Sequence, residues 1–428
     1  MRDIALTLIF VGLIPVVLKY PWIGVLVYAW VSIFNPHKWT FGFANDFPLA
    51  MLTGVVTVAG MFLRWKEARL PINTITVLLM LLPFWMTVTL MFALEPDAAY
   101  ARWGDVMKVF FFTLITASLL HSRKQLEALL WVLVLSIGFY GVKGGIFTLA
   151  VGGVYRVYGP PGTSYISDNN AISVALVMTI PLMQYLGSTA ASKWIKWGMY
   201  GAMLLSGVAV LGSQSRGGFL AIGAMIVFML LKSERKLLVA LALVILVPLV
   251  VGFMPDTWIS RMETIRTYED QSAQGRLNTW AMAFNLANDR PLVGGGFEPY
   301  SPRVFARYAP DPRDVHSAHS IYFQMLGEHG YVGLVLFLGL GIASWMMARR
   351  ILRASRDRPD YSWAGGLARV MQVSLIGFAV GGAFVNIAYW EVVYFEIVIL
   401  MGVYNLVRQL APKAPPERSE RALNPAVT

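Results

Sequence analysis

Two histidines in the last third of the sequence have the chemistry of a general base. His316 and His319 lie in the stretch Val-His-Ser-Ala-His-Ser, immediately before a long apolar run. An imidazole exchanges its proton near neutral pH, as the removal of a proton from a sugar hydroxyl requires. A histidine at a membrane boundary can equally have a structural role, so this stretch alone leaves both interpretations open.

Two arginines occupy similar boundary positions. Arg216 lies in Ser-Arg-Gly-Gly between two apolar runs, and Arg276 lies at the start of a predicted helix. A guanidinium can hold a diphosphate through two parallel hydrogen bonds, and helix amides favour an anion at the same place. The flanking glycines would let a ligand approach the backbone closely. The alternative is an arginine that extends to the membrane interface and caps a helix.

The composition indicates that membrane helices position these side chains. Of 428 residues, 57% are hydrophobic and 14% are charged, whereas a soluble domain has about a quarter charged residues. An ordinary soluble fold is therefore excluded. The absence of cysteine excludes disulfides, thiolate chemistry and cysteine-ligated metals.

Apolar runs close to the length that spans a hydrocarbon core recur along the chain. Lipid leaves no partner for an exposed sheet edge, so we expect an all-α membrane bundle of about twelve transmembrane helices. The runs cover residues 4–18, 21–34, 48–63, 72–94, 106–120, 126–150, 169–187, 195–213, 217–231, 237–254, 319–348, 367–388 and 391–407.

The net charge of +11 indicates membrane topology. If the spans alternate, the basic clusters at 64–69, 123–124, 193–196, 232–236, 349–369 and after 408 lie on one side. The positive-inside rule makes that side cytoplasmic. The charge surplus is then a topology signal, and no nucleic-acid partner is expected. Arg216, Arg276 and His319 are predicted on the opposite face.

These features divide the chain into four predicted parts. Residues 1–254 and 319–408 are expected to be transmembrane helices, and residues 409–428 a disordered cytoplasmic tail. Residues 255–318 are predicted to form a long outer loop that contains helices and carries part of the site. One such helix is expected to turn an apolar face made of Leu277, Trp280, Phe284 and Ala287 towards the membrane interface.

Together the motifs resemble the O-antigen ligase and polymerase superfamily. The match consists of residues 215–218, residues 275–280 with the following 291–297, and residues 318–320 with Glu328, Gly330 and Gly333. Arg156 in residues 156–159, with residues 168–170, is a weaker fourth match. Residues 34–38 and the rest of the N-terminal third resemble the ligase subgroup associated with exosortase systems.

The resemblance implies a GT-C-like, multi-spanning enzyme of the bacterial inner membrane with a periplasmic active site. Such ligases move a glycan from undecaprenyl diphosphate to an acceptor hydroxyl, on lipid A-core for O-antigen ligases proper. A protein acceptor in the exosortase-associated subgroup and a growing glycan in a polymerase are the alternatives. Carried over by motif, His319 is the base and Arg216 and Arg276 hold the diphosphate, with Arg156 and His316 as further substrate-binding candidates. No metal or other cofactor is expected.

Three other functions have some support in the sequence, and a fourth is disfavoured. Glu95-Pro96-Asp97 could belong to a metal-dependent transferase, and His316-x-x-His319 with Glu328 or His329 to a zinc site. A serine hydrolase is disfavoured because no Gly-x-Ser-x-Gly elbow is present. A transporter is suggested by charges inside apolar runs, since such charges often mark ion paths. These charges are Lys143, Glu391 and Glu396.

Overall fold

The computed structural model describes residues 1–162, 164–232, 252, 255 and 271–410, and within them all regular structure is helical. The run predicted at 237–254, residue 252 apart, and the predicted tail beyond residue 410 lie outside these ranges. The helices are α1 (Arg2–Lys19), α2 (Pro21–Phe34), α3 (Leu49–Leu63), α4 (Thr74–Leu90), α5 (Pro96–Leu119), α6 (Arg123–Ala150), α7 (Asn169–Thr189), α8 (Lys193–Gly212), α9 (Arg216–Lys232), α10 (Gln271–Asp289), α11 (Pro302–Tyr308), α12 (Ile321–Ser355), α13 (Ser362–Gly381) and α14 (Glu391–Leu410). The all-α prediction is confirmed for the described residues.

Several of these helices have the length and composition of membrane spans. Arg123–Ala150, Asn169–Thr189, Lys193–Gly212, Ile321–Ser355 and Pro359–Phe384 meet both criteria. Shorter apolar helices cover Pro21–Phe34, Leu49–Leu63, Thr74–Leu90 and Arg216–Leu231. The chain is a multi-pass membrane protein, and the number of about twelve spans stays a prediction.

The central helix of the bundle is α7. It is buried along almost its whole length and packs against α6, α8, α9 and α13. Glycines of α13 allow the close approach, because a Cβ at Gly377 or Gly381 would lie 2.9 or 2.6 Å from side-chain atoms of Val177 or Val174. The start of α7 is thereby held in the middle of one end of the bundle.

Several basic side chains gather at one end of the bundle. At this end, Arg350, Arg353 and Arg408 line a shared depression. The Arg123 guanidinium lies over the ring of Trp363 at 4.5 Å. Helices α7, α9 and α12 begin at the opposite end. Several of the basic clusters that were predicted to share a side therefore lie at the same end of the bundle. This end is opposite to the N-termini of α7, α9 and α12.

Helices α10 and α11 pack against each other through a small apolar cluster. Met282 and Leu286 of α10 contact Phe305 of α11 there. The predicted helix in this segment is present, and within its apolar face Leu277 and Phe284 are 49% and 48% exposed whereas Ala287 is buried. The position of α11 decides which face of α10 is buried, and the local apolar pattern does not record that position.

Helix α12 consists of two helical segments that meet at Gly330. The backbone there has φ +66° and ψ −169°, and a Cβ would lie 2.4 Å from the carbonyl oxygen of Leu292. Close by, the amide of Gly295 donates to the carbonyl of Gly327 at 2.8 Å. Residues 291–297 thus pack around the break in α12 at Gly330. Residues 321–329 form a short helical segment before this break.

Replacing Gly330 by alanine should destabilise the protein. The left-handed conformation alone costs about 1–3 kcal/mol for a residue with a side chain, and the contact with Leu292 adds to that cost. The measurement is the midpoint of thermal unfolding in detergent. Gly341→Ala in the same helix is the matched control, since no atom lies within 4 Å of a Cβ at that position. Equal midpoints for the two variants would contradict this account of the break.

Candidate active site

A tight turn precedes the helix that begins at Arg216. Gln214 has a left-handed backbone with φ +55°. The hydroxyl oxygen of Ser215 accepts a hydrogen bond from the amide of Gly218 at 3.1 Å, which caps α9. The same hydroxyl donates to Oδ1 of Asn170 at 2.8 Å. Arg216, half-buried, therefore stands at the first position of a capped helix that is tied to the start of α7.

The two glycines after Arg216 serve protein packing, which corrects the expectation that they admit a ligand. A Cβ at Gly217 would lie 2.7 Å from Cβ of Phe384, and one at Gly218 would lie 2.3 Å from Oγ of Ser173. Both spaces are filled by neighbouring helices and their connections. The glycines let α9 approach α7 and the segment after α13.

The loop that carries Arg156 lies against this turn. The amide of Val157 donates to the carbonyl of Gly212 at 3.1 Å. The side-chain amide of Gln214 donates to the carbonyl of Gly153 at 3.0 Å. Arg156 is half-buried on this loop. The weaker fourth motif is thus joined to the stretch that contains Arg216.

The start of α7 collects polar contacts from these segments. Asp168 caps the helix, with Oδ1 accepting from the amides of Asn170 and Ala171 at 2.8 and 3.1 Å. The side chain of Asn169 donates to the carbonyl of Ser213 at 2.9 Å. The Asp-Asn-Asn stretch therefore satisfies helix amides and also fixes the turn before Arg216.

On the other side of the site, α10 holds the loop that leads to His319. The side-chain nitrogen Nδ2 of Asn278 donates to the backbone carbonyls of Asp311 and Asp314 at 2.8 and 2.9 Å. The indole nitrogen of Trp280 donates to the carbonyl of Ala318 at 2.7 Å. The tryptophan of the motif thereby positions the residue next to His319.

The first residues of the motif in α10 contact His316. A Cβ at Gly275 would lie 2.7 Å from Cδ2 of His316, so a larger residue would displace the ring. Nε2 of His316 lies 2.7 Å from Oδ1 of Asp314, and the histidine is exposed. Arg276, the next residue of α10, is half-buried beside this loop.

His319 is half-buried just before α12, with a left-handed φ of +43°. Its Nε2 lies 3.3 Å from the hydroxyl of Ser317. Burial lowers the pKa of His319 below its usual value, and the positive charge of Arg276 lowers the pKa further. The carboxylate of Asp168 acts in the opposite direction, and His316 adds to the lowering. A neutral imidazole at neutral pH is the form that can accept a proton.

Comparison with known proteins agrees with these motifs. Residues 201–338 match the family model described as O-antigen ligase, and residues 1–191 match a family of unknown function. The match of residues 201–338 supports the resemblance to the O-antigen ligase superfamily. No curated protein matches it.

The candidate site residues are divided between the two matched stretches. Arg216, Arg276, His316 and His319 lie in the stretch that matches the O-antigen ligase family. Arg156 lies in the N-terminal stretch. The structure brings all five to the end of the bundle away from the basic clusters. Their roles in catalysis and binding stay predictions.

A fully buried polar network beneath the site was missed as a unit in the sequence. Glu328 and His329 are 0% exposed, and the hydroxyl of Tyr389 donates to Glu328. The same hydroxyl lies 2.8 Å from Nε2 of His329, and Oγ1 of Thr89 lies 2.7 Å from Nδ1. Glu328 and His329 are adjacent in the sequence. Their partners are Thr89 on α4 and Tyr389 after α13, and no local sequence pattern points to either of them.

The residues behind the metal-site alternatives have protein partners. Oε1 of Glu95 accepts from the hydroxyl of Ser301 at 2.5 Å and pairs with Arg303 at 3.2 Å. These contacts tie the start of α5 to α11, a structural role for the carboxylate. His316 is oriented by Asp314 and not by a second histidine.

Two of the charges that suggested a transporter have partners in the protein, and Lys143 is exposed. The ammonium group of Lys143 lies over the ring of Trp39 at 4.5 Å. Oε1 of Glu396 accepts a hydrogen bond from Ser374 at 2.9 Å. Glu391 is buried at the start of α14. Oε2 of Glu396 is buried without a hydrogen-bond partner among the described residues.

Proposed function

We propose that this protein transfers a glycan from undecaprenyl diphosphate to an acceptor hydroxyl of lipid A-core oligosaccharide, with inversion at the anomeric carbon. In this proposal His319 is the general base, and Arg216 and Arg276 bind the diphosphate. Arg156 and His316 are further substrate-binding residues. Transfer to a protein or to a growing glycan remains the alternative, because the acceptor determines which member of the superfamily this is.

The observation that carries the proposal is the juxtaposition of a half-buried histidine with an arginine at one end of the bundle. Arg276 is close enough to His319 to lower its pKa. Arg216 begins a helix whose next residue packs on Phe384. His319 thus lies near Arg276 of α10, and Arg216 lies at the start of α9, on a segment distant in sequence.

This set of groups suits an inverting displacement at a lipid-linked sugar. The acceptor oxygen forms a bond to the anomeric carbon as its proton passes to His319, and the bond from that carbon to the diphosphate oxygen breaks. The electron pair leaves with undecaprenyl diphosphate, which is already an acidic anion and needs no general acid. The arginines neutralise the charge that builds on it, so the proposal includes no metal.

The distribution of charge supports a periplasmic site in the inner membrane. Arg123, Arg350, Arg353 and Arg408, from three of the basic clusters, lie at the end of the bundle opposite to the start of α7, α9 and α12. By the positive-inside rule the basic end faces the cytoplasm. The candidate site then faces the periplasm, where a flipped lipid-linked glycan is presented.

Reconstitution of the purified protein in liposomes tests the proposed reaction. The donor is a defined undecaprenyl-diphosphate oligosaccharide, and the acceptors are lipid A-core and a serine- and threonine-rich protein in separate reactions. We expect transfer to lipid A-core that survives exhaustive chelation. Transfer only to protein would reassign the acceptor, whereas loss of activity on chelation would reinstate a metal-dependent mechanism. Donor flux across the vesicles without any transfer would favour a transporter.

His319→Ala should reduce transfer by about 10²–10⁴-fold, the usual contribution of a general base. Arg216→Ala and Arg276→Ala should each cost about 10²–10³-fold. Lysine at either position should also impair turnover, because a point charge does not replace a bidentate fork. Arg307→Ala is the control, since Arg307 is an exposed arginine paired with Asp289 at 3.1 Å. Normal transfer by the folded His319 variant would refute the mechanism.

The pH dependence of kcat/KM should report the protonation of His319. A base is active when neutral, and its lowered pKa places the acid limb below about pH 6.5. Asp168→Asn removes the carboxylate that raises this pKa, so the limb should move to still lower pH. Asparagine is an equally good helix cap, so α7 should be retained. An acid limb of the kcat/KM profile that stays at the same pH or moves to higher pH in Asp168→Asn would exclude His319 as the titrating base.

A further inference from the structure

The connection between α13 and α14 runs beside both halves of the candidate site. It comprises residues 382–390, here called the linker, and lies outside both matched stretches of the chain. A Cβ at Gly217 would lie 2.7 Å from Cβ of Phe384, and a Cβ at Gly382 would lie 2.5 Å from Cδ1 of Ile321. The linker therefore touches the helix that begins at Arg216 and the segment that follows His319.

One side chain of the linker reaches the backbone next to His319. Oδ1 of Asn386 accepts a hydrogen bond from the amide of Ser320 at 3.3 Å. This amide belongs to the peptide bond that follows His319, a residue whose left-handed φ is uncommon for a side chain with a Cβ. Ser320 precedes α12, so the bond supplies support that the helix itself does not provide.

A second anchor holds the other end of the same segment. The hydroxyl of Tyr389 donates to Glu328 and lies 2.8 Å from Nε2 of His329. The Arg102 guanidinium lies 5.6 Å from the ring of Tyr389. The short segment 321–329 is thus fastened to the linker at Ser320 and again at its far end, just before the break at Gly330.

We propose that Asn386 is a positioning residue for His319, acting through the amide of Ser320. Asn386 fixes the orientation of the peptide group between His319 and Ser320. Tyr389 holds the linker against the segment 321–329. The inference rests on the proposed role of His319. Asn386 forms no part of the bond changes, and its removal should misplace the base without removing it.

The charges around His319 make an informative substitution possible. His319 faces Arg276 from α10, Asp168 from the start of α7 and His316 from its own loop. Asn386 adds an acceptor oxygen but no charge. Asn386→Asp keeps the acceptor and brings in a carboxylate, which favours the protonated imidazole and so raises its pKa.

The experiment compares Asn386→Ala and Asn386→Asp in the full-length protein in liposomes. With a defined lipid-diphosphate donor, Asn386→Ala should lower kcat by about 10- to 100-fold, the range expected when a catalytic group is displaced by about 1 Å. Its KM for the donor should stay within about threefold, because the arginines that bind the diphosphate are untouched. Asn386→Asp should recover most of kcat at high pH, with the acid limb moved to higher pH.

Asn288→Ala is the matched control, since Oδ1 of Asn288 also accepts one hydrogen bond, from Tyr331 at 2.8 Å, in an exposed position. Its kcat should equal that of the wild type. Wild-type kcat in Asn386→Ala, or an unshifted acid limb in Asn386→Asp, would overturn the inference. If Asn386→Ala does not fold, the pH profile of Asn386→Asp decides alone. A fully active His319→Ala variant would instead overturn the proposed base itself.

Discussion

The polar contacts at the start of α7 are the interaction on which the candidate site depends. A helix that begins inside a membrane protein leaves amides without partners unless side chains supply them. Asp168 satisfies two of these amides, and Asn169 and Asn170 reach across to the turn that precedes Arg216. Because α7 is buried on all sides, this end of the helix gives the surrounding loops a rigid reference.

Two further segments complete the site around that reference. Helix α10 holds the loop before His319 through Asn278 and Trp280. The linker closes the opposite side, where Phe384 packs on α9 and Asn386 accepts from Ser320. His319 therefore lies where three separately supported parts of the chain meet, and its backbone has an uncommon left-handed φ.

Burial and nearby positive charge outweigh the carboxylate of Asp168 at His319, so the pKa of the imidazole is lowered. Burial and Arg276 both favour the neutral imidazole, while Asp168 opposes them. A diphosphate bound beside the arginines would bring further negative charge and favour the protonated form that arises as the acceptor loses its proton. Arg276 lowers the pKa of His319 in the free protein. With the diphosphate bound, this lowering of the pKa would be smaller.

The glycines of the motifs allow close packing between segments of the protein, and the space beside them is filled by protein atoms. Gly217 and Gly218 make room for Phe384 and Ser173, and Gly275 makes room for His316. Gly330 tolerates a left-handed break against Leu292. Each is a place where two segments approach more closely than a Cβ allows, so these motif positions carry the fold of the site.

The sequence by itself determined that the chain is helical, that it spans a membrane, and which superfamily it resembles. Run length, caps and short motifs are local, so they can be read without knowing what a residue touches. The buried face of α10, which includes Met282 and Leu286, is the one that packs on α11, and Leu277 and Phe284 stay exposed. Asn386 lies 66 residues from Ser320, and Tyr389 lies 60 residues from His329. Only the tertiary structure could bring them together, because contacts between distant segments leave no periodic trace in a single sequence.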